Sequence, residues 1–128
     1  MVLAGWVTLL ALVLYLWVSA RVGSMRARHG IKAPSMTGHP EFERAVRVQA
    51  NTLENLVPFL AALWLAGWSW RWDVAAILGL AWVGGRVWYA LGYYRDPGKR
   101  GLGFMVGFVA QVLLMLAAAG GLTQRCLA

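Results

Sequence analysis

The chain has 128 residues, of which 60% are hydrophobic and only 13% are charged, and its net charge is +7. Soluble domains carry about 25% charged residues, so the composition excludes an ordinary soluble protein, and the length accommodates a single domain, residues 1–128. The positive charge is explained more simply by membrane topology and contacts with anionic lipids than by nucleic acid. We therefore expect membrane lipids, and no nucleic acid, as partners.

Four apolar segments follow one another, and each approaches the roughly 20 residues that a helix needs to cross a hydrocarbon core. They predict an all-α integral membrane protein, built as a four-transmembrane-helix bundle. We place the helices at about residues 2–27, 41–70, 73–95 and 101–123.

The first segment carries no charge from Val2 to Ala20, and its end resembles a signal-peptide cleavage site. No Lys or Arg precedes it, however, and its apolar core is longer than the roughly 7–15 residues of a signal peptide. We therefore interpret it as the first transmembrane helix.

Basic residues are unevenly distributed among the loops. Six lie in or beside the first loop and three lie before the fourth segment, whereas the second loop and the C-terminal tail carry one each. The positive-inside rule then predicts that loops 1 and 3 are cytoplasmic and that both termini lie on the opposite side. Short loops without an organellar signal favour a bacterial inner membrane.

The second segment begins with a polar helix face formed by Arg47, Asn51 and Glu54, at positions i, i+4 and i+7. An arginine or a carboxylate at the centre of a membrane helix costs about 2.5–3.5 kcal/mol on insertion scales. Such residues usually face the interior of a bundle and have a function there. This face therefore predicts a pocket near the cytoplasmic membrane surface.

The third segment supplies a matching face with Arg86, Tyr89 and Tyr93, and Arg100 follows at the start of the fourth. Two interpretations remain open from the spacing alone. Glu54 forms a structural ion pair with Arg47 or Arg86, or the excess of cations binds an anionic ligand whose amine Glu54 holds. His29 and His39 lie in the first loop without Cys or a carboxylate at ligand spacing, and we interpret them as solvated loop residues. Cys126 stands alone, so no metal site is predicted.

Two long motifs resemble the signatures of a known family. Phe42 to Phe59, which contains FERAVRVQANTLE, resembles the second-helix signature of the MAPEG family, the membrane-associated proteins of eicosanoid and glutathione metabolism. Gly79 to Tyr94, GLAWVGGRVWYALGYY, resembles its third-helix signature, and the basic loop ending at Lys99-Arg100 follows. The resemblance covers the whole chain. It is strongest to the branches of the microsomal glutathione S-transferases of the second and third types and of leukotriene C4 synthase.

The resemblance implies a homotrimer that binds glutathione as co-substrate between neighbouring subunits, uses no metal, and takes a lipophilic second substrate from the bilayer. By motif position, Arg100 would lie at the glutathione sulfur as the catalytic residue. The residues implied to hold the tripeptide are Arg47, Asn51, Glu54, Tyr89 and Tyr93, with Arg26 and Gln49 reaching it across the subunit boundary.

Two positions depart from the family pattern. Ala27 stands where the leukotriene-forming branch has a second arginine, and Asn55 and Leu56 follow Glu54 where an aromatic residue is usual. These departures favour conjugation of glutathione to lipophilic electrophiles, with reduction of lipid hydroperoxides as a further activity, over eicosanoid synthesis. The alternatives are a non-catalytic lipid- or glutathione-binding protein of the same fold and a small four-helix exporter. Such an exporter depends on a glutamate buried in helix 1, whereas the apolar part of helix 1 carries no charge here from Val2 to Ala20.

Overall fold

The computed structural model describes all 128 residues and consists of four long α-helices. The helices are α1 (Val2–Arg28), α2 (Pro40–Ser69), α3 (Trp72–Arg95) and α4 (Gly101–Leu127), and a 3₁₀ turn (Pro97–Arg100) leads directly into α4. The all-α prediction is thus confirmed. The fourth helix ends at Leu127 rather than near residue 123.

Three of the helices are long and apolar enough to cross a membrane: α1, α3, and α4 together with its 3₁₀ turn. The protein is therefore a multi-pass integral membrane protein. The second helix has 30 residues but is not in this group. Its N-terminal half carries five charged residues, namely Glu41, Glu43, Arg44, Arg47 and Glu54. That α2 also spans the membrane stays a prediction.

Hydrogen bonds between side chains show that α1 and α2 are antiparallel. Gln49 Nε2 donates to Ser19 Oγ at 3.1 Å, and Trp64 Nε1 donates to Thr8 Oγ1 at 3.0 Å. A later residue of α2 thus meets an earlier residue of α1. Because short connections join α2 to α3 and α3 to α4, the bundle has an up-and-down order.

The far end of α2 is tied to α4 through backbone carbonyls that the helix itself leaves unpaired. Arg125 Nε donates to the Ser69 carbonyl at 3.0 Å and its terminal nitrogen donates to the Trp68 carbonyl at 2.7 Å. Ser69 Oγ in turn donates to the Ala118 carbonyl at 3.3 Å. The bonds from Arg125 satisfy two carbonyls at the C-terminal end of α2. The last turns of α4 therefore hold the end of α2 in place.

Glycines bring the backbones of α3 and α4 into close contact. A Cβ atom at Gly85 would lie 2.7 Å from the backbone nitrogen of Gly107, and one at Gly103 would overlap the backbone of Tyr89. Only residues without a side chain allow this approach. The contact places the first turn of α4 beside the last two turns of α3, where the candidate site lies. Gly84, the neighbour of Gly85, has no such contact.

Candidate functional site

A cavity of about 380 Å³ opens where the N-terminal half of α2 meets the end of α3 and the start of α4. It lies at the end of the bundle that carries the α1–α2 loop (His29–His39) and the 3₁₀ turn, which we call the loop end. The residues that line it are Arg47, Asn51, Tyr89, Tyr93, Arg100, Gly101 and Phe104. The structure thus brings five of the sequence-predicted site residues together, from α2, α3 and the 3₁₀ turn.

The lining of the cavity is cationic and aromatic, and it contains no carboxylate. The guanidinium carbon of Arg100 lies 5.5 Å from the ring centre of Tyr93, within the range of a cation–π contact. The rings of Tyr89 and Tyr93 have centres 5.7 Å apart, and the Phe104 ring lies 6.2 Å from that of Tyr89. Two guanidinium groups without a counter-charge favour binding of an anion.

Arg86 lies behind the cavity wall rather than in it. Its side chain is buried, with 2% of the residue exposed, and its guanidinium carbon lies 4.2 Å from the ring centre of Tyr89. A terminal nitrogen donates to Thr52 Oγ1 at 2.8 Å. No carboxylate of the chain pairs with Arg86, and Glu54 forms no ion pair in the chain. Of the two interpretations left open by the spacing, the structural pair of Glu54 with Arg86 or Arg47 is thus not formed within one chain.

Replacing Thr52 by valine is expected to destabilise the bundle by about 1–3 kcal/mol, because a buried guanidinium loses its acceptor while the shape is kept. The measurement is the thermal unfolding midpoint in detergent. Thr123→Val is the matched control, since its hydroxyl is exposed and donates only to the Ala119 carbonyl one turn earlier. Equal midpoints for the two variants would show that the Arg86–Thr52 bond does not stabilise the fold.

Three predicted residues lie away from the cavity of their own chain. Glu54 is exposed, does not line the cavity, and lies about 10 Å along α2 from Arg47, seven residues at 1.5 Å each. Gln49 faces α1, where it is bonded to Ser19. Arg26 donates to the Ser35 carbonyl at 2.8 Å, and its guanidinium lies over the Phe42 ring.

The interpretation of His29 and His39 as solvated loop residues is wrong. Their rings stack with centres 3.6 Å apart, and His29 Nε2 is buried 3.9 Å from a Glu41 carboxylate oxygen. His39 Nδ1 accepts the Glu41 backbone N–H at 3.2 Å and so caps the start of α2. One nitrogen of each ring and a Glu41 carboxylate oxygen lie within 4.8 Å of one another, so a carboxylate does lie beside these histidines, and His39 Nδ1 is already an acceptor. The cluster therefore joins the end of α1 to the start of α2.

Gly101 and Phe104 also line the cavity, and neither was among the site residues predicted from the sequence. A usable signal was present for Phe104. It follows Arg100 at i+4, so a helix beginning near residue 100 places both side chains on one face. Gly101 leaves open space beside Arg100, since nothing lies within 4 Å of where its Cβ would be.

A sequence model of the MAPEG family matches residues 3–120. The chain belongs to the MAPEG family. The resemblance of the two helix signatures is thereby confirmed, over nearly the full length of the chain.

Similar proteins cover most of this MAPEG chain. An uncharacterised protein of Synechocystis is 45% identical over 112 residues, which are 88% of this chain and 82% of that protein. Microsomal glutathione S-transferase 2 of mouse is 40% identical over 107 residues, 84% of this chain and 73% of the relative. Bovine leukotriene C4 synthase is 38% identical over 121 residues, which are 94% of this chain and 81% of that protein.

Proposed function

We propose that this MAPEG protein is a membrane-bound glutathione transferase. It conjugates the glutathione thiolate to lipophilic electrophiles and, as a related activity, reduces lipid hydroperoxides. The observation that carries the proposal is the cavity that Arg47, Asn51, Tyr89, Tyr93 and Arg100 share. Relatives named as a glutathione transferase and as leukotriene C4 synthase support it.

The chemistry of the cavity suits glutathione. The tripeptide has two carboxylates and a thiol, and the cavity offers two guanidinium groups, an amide and two phenols without a competing carboxylate. Its volume of about 380 Å³ lies in the usual range of about 300–1,000 Å³ for small-molecule sites. We assign the sulfur to Arg100, at the mouth of α4, and the tripeptide to the other four residues.

The exposed carboxylate of Glu54 supports a site completed by a neighbouring subunit. A carboxylate that lies on a helix continuing into apolar sequence is costly unless it is paired, and no cation of its own chain pairs with it. In the proposed homotrimer, Glu54 holds the glutathione amine at a subunit boundary. Arg26 and Gln49, which are turned away from the cavity of their own chain, serve the site of the adjacent subunit.

The proposed topology places this site at the cytoplasmic membrane surface of a bacterial inner membrane, where glutathione is dissolved and lipophilic substrates arrive from the bilayer. It requires the apolar second half of α2, from Leu56 onward, to cross the membrane with the other three helices. Loops 1 and 3 are then cytoplasmic, and both termini face the opposite side.

Thiol ionisation by itself accelerates the reaction only modestly. A free thiol with a pKa near 8.5 is about 3% ionised at pH 7, and lowering that pKa by about two units raises the thiolate roughly 25-fold. Each thiolate then becomes about eightfold less nucleophilic, using the Brønsted slope of about 0.4–0.5 for thiolates. The remaining acceleration must come from holding the electrophile against the sulfur.

Purified protein in detergent is expected to bind glutathione in calorimetry and to produce an ultraviolet thiolate band near neutral pH. S-methylglutathione, which has no ionisable thiol, should bind without the band. Arg47→Ala should weaken binding by about 10- to 100-fold, because a hydrogen bond to a charged group contributes about 1.5–3 kcal/mol. Arg95→Ala is the matched control, since Arg95 is an exposed cation of α3 that does not line the cavity.

The outcomes separate the candidate functions. Binding without a thiolate band, and without conjugation of a lipophilic electrophile, would favour the non-catalytic binding protein of the same fold. Absence of binding in the wild type would overturn the proposal as a whole.

A further inference from the structure

Asn55, one of the departures from the family pattern, contacts a cavity residue without lining the cavity itself. Its Nδ2 atom donates to the Asn51 backbone carbonyl at 2.8 Å and lies 3.4 Å from the Asn51 side-chain oxygen. Asn51 lines the cavity and Asn55 does not. The two amides are neighbours at i and i+4 on α2.

The orientation of both amides follows from these contacts. A backbone carbonyl only accepts hydrogen bonds, so the atom of Asn55 beside it must be the Nδ2 donor. Because Asn55 presents its Nδ2 donor, the side-chain atom of Asn51 that faces it must be the oxygen. A nitrogen in that place would put two N–H donors against each other. The Nδ2 donors of Asn51 are then free to face the cavity.

We propose that Asn55 is a positioning residue that holds the Asn51 amide with its donors toward the cavity, so that Asn51 binds a carbonyl or carboxylate oxygen of glutathione. This inference rests on the proposed glutathione site. With this orientation Asn51 donates hydrogen bonds into the cavity, as the guanidinium groups do, because a guanidinium has no acceptor atom. The site is thereby specific for ligands that present acceptors, and an amide or amine opposite Asn51 is rejected.

Replacing Asn55 by leucine leaves the Asn51 amide free to turn, and we expect a three- to tenfold weaker glutathione affinity with little change in kcat at saturation. Asn55→Asp is expected to weaken binding further, at least tenfold, because a carboxylate accepts from Asn51 Nδ2 and turns the Asn51 oxygen into the cavity. Calorimetry gives the affinity, and steady-state kinetics separate KM from kcat.

A double-mutant cycle with Asn51→Leu decides whether Asn55 acts through Asn51. We expect Asn55→Leu to change the affinity in the wild type and not in the Asn51→Leu background. Gln111→Leu is the control, because it removes an amide from α4 away from the cavity and should leave the affinity unchanged. Thermal unfolding of each variant in detergent verifies the fold.

The failures of this inference and of the proposed function are distinguishable. A wild type that does not bind glutathione overturns both. A wild type that binds, with an equal effect of Asn55→Leu in both backgrounds or no effect in either, overturns the role of Asn55 and leaves the glutathione site intact. A fall in kcat at unchanged KM also contradicts it, because an amide that only orients a binding group acts on affinity.

Discussion

Replacing Arg100 by alanine is expected to remove the glutathione thiolate at neutral pH, with a roughly 25-fold loss of the ultraviolet band at pH 7. Arg100 lies at the mouth of α4 and its guanidinium has no carboxylate partner, so its charge is available to a bound anion. The thiolate that it stabilises is present above the lowered thiol pKa and is lost as the pH falls through that pKa. In the variant the same transition moves back toward the ordinary pKa near 8.5.

The pH dependence of conjugation then has a distinctive form. At pH 7 the variant has about 25-fold less thiolate, but each thiolate is about eightfold more nucleophilic, so the rate falls only about threefold. Above about pH 8 the wild type is almost fully ionised and about a quarter or more of the variant's thiol is ionised, so the thiolate deficit is smaller than the eightfold gain in nucleophilicity and the variant becomes the faster one. The measurement is kcat/KM from about pH 6 to 9 for the wild type and Arg100→Ala.

Lys99→Ala is the control for this experiment, because Lys99 is the neighbouring exposed cation and does not line the cavity. Its profile should follow the wild type. A constant deficit of Arg100→Ala at every pH would instead show that Arg100 positions the substrates and does not ionise the thiol. An unchanged thiolate band would remove Arg100 from the sulfur altogether.

Replacing Gly103 by alanine is expected to separate α4 from α3 and to disrupt the cavity. The added Cβ would overlap the backbone of Tyr89, which cannot move aside as a flexible side chain would. Overpacking typically costs about 1–3 kcal/mol, which lowers the unfolding midpoint by roughly 5–10 °C. Glutathione affinity should fall as well, because Arg100 and Phe104 move with α4 away from Tyr89 and Tyr93.

Gly120→Ala gives a matched control in the same helix. Nothing lies within 4 Å of a Cβ at Gly120, so this substitution should leave the midpoint unchanged or raise it slightly. Thermal unfolding in detergent and calorimetry with glutathione measure the two effects. Normal stability and normal binding in Gly103→Ala would show that the close approach of α3 and α4 is not needed for the site.

Much of the fold could be predicted because the determining signals are local. Continuous apolar segments and polar breaks located four helices, and i, i+4 and i+7 spacing placed Arg47 and Asn51 on one face. The long motifs around Asn51 and Tyr89 pointed to the family. These features depend only on residues that are neighbours along the chain, so no knowledge of packing was required.

Which residues line the cavity depends on how the helices pack, and residue spacing along the chain does not specify this packing. Helical periodicity puts Arg47 and Glu54 on the same side of α2, yet only Arg47 lines the cavity, which forms where the N-terminal half of α2 meets the end of α3 and the start of α4. Arg86 shares a face with Tyr89 but lies behind its ring, where Thr52 from another helix is its partner. The stacking of His29 on His39 likewise joins residues from two helix ends.

The sequence by itself determined the number of helices, the membrane setting and the set of cationic and aromatic residues from which the site is built. Composition and periodicity are properties of single segments, and they do not depend on how those segments pack together. Only the tertiary structure decided which of those residues share one cavity, because glycine contacts such as Gly103 against Tyr89 set how closely and at what height α3 and α4 meet. It also placed the Asn55 amide against Asn51, since the direction of an amide is defined by the atoms around it.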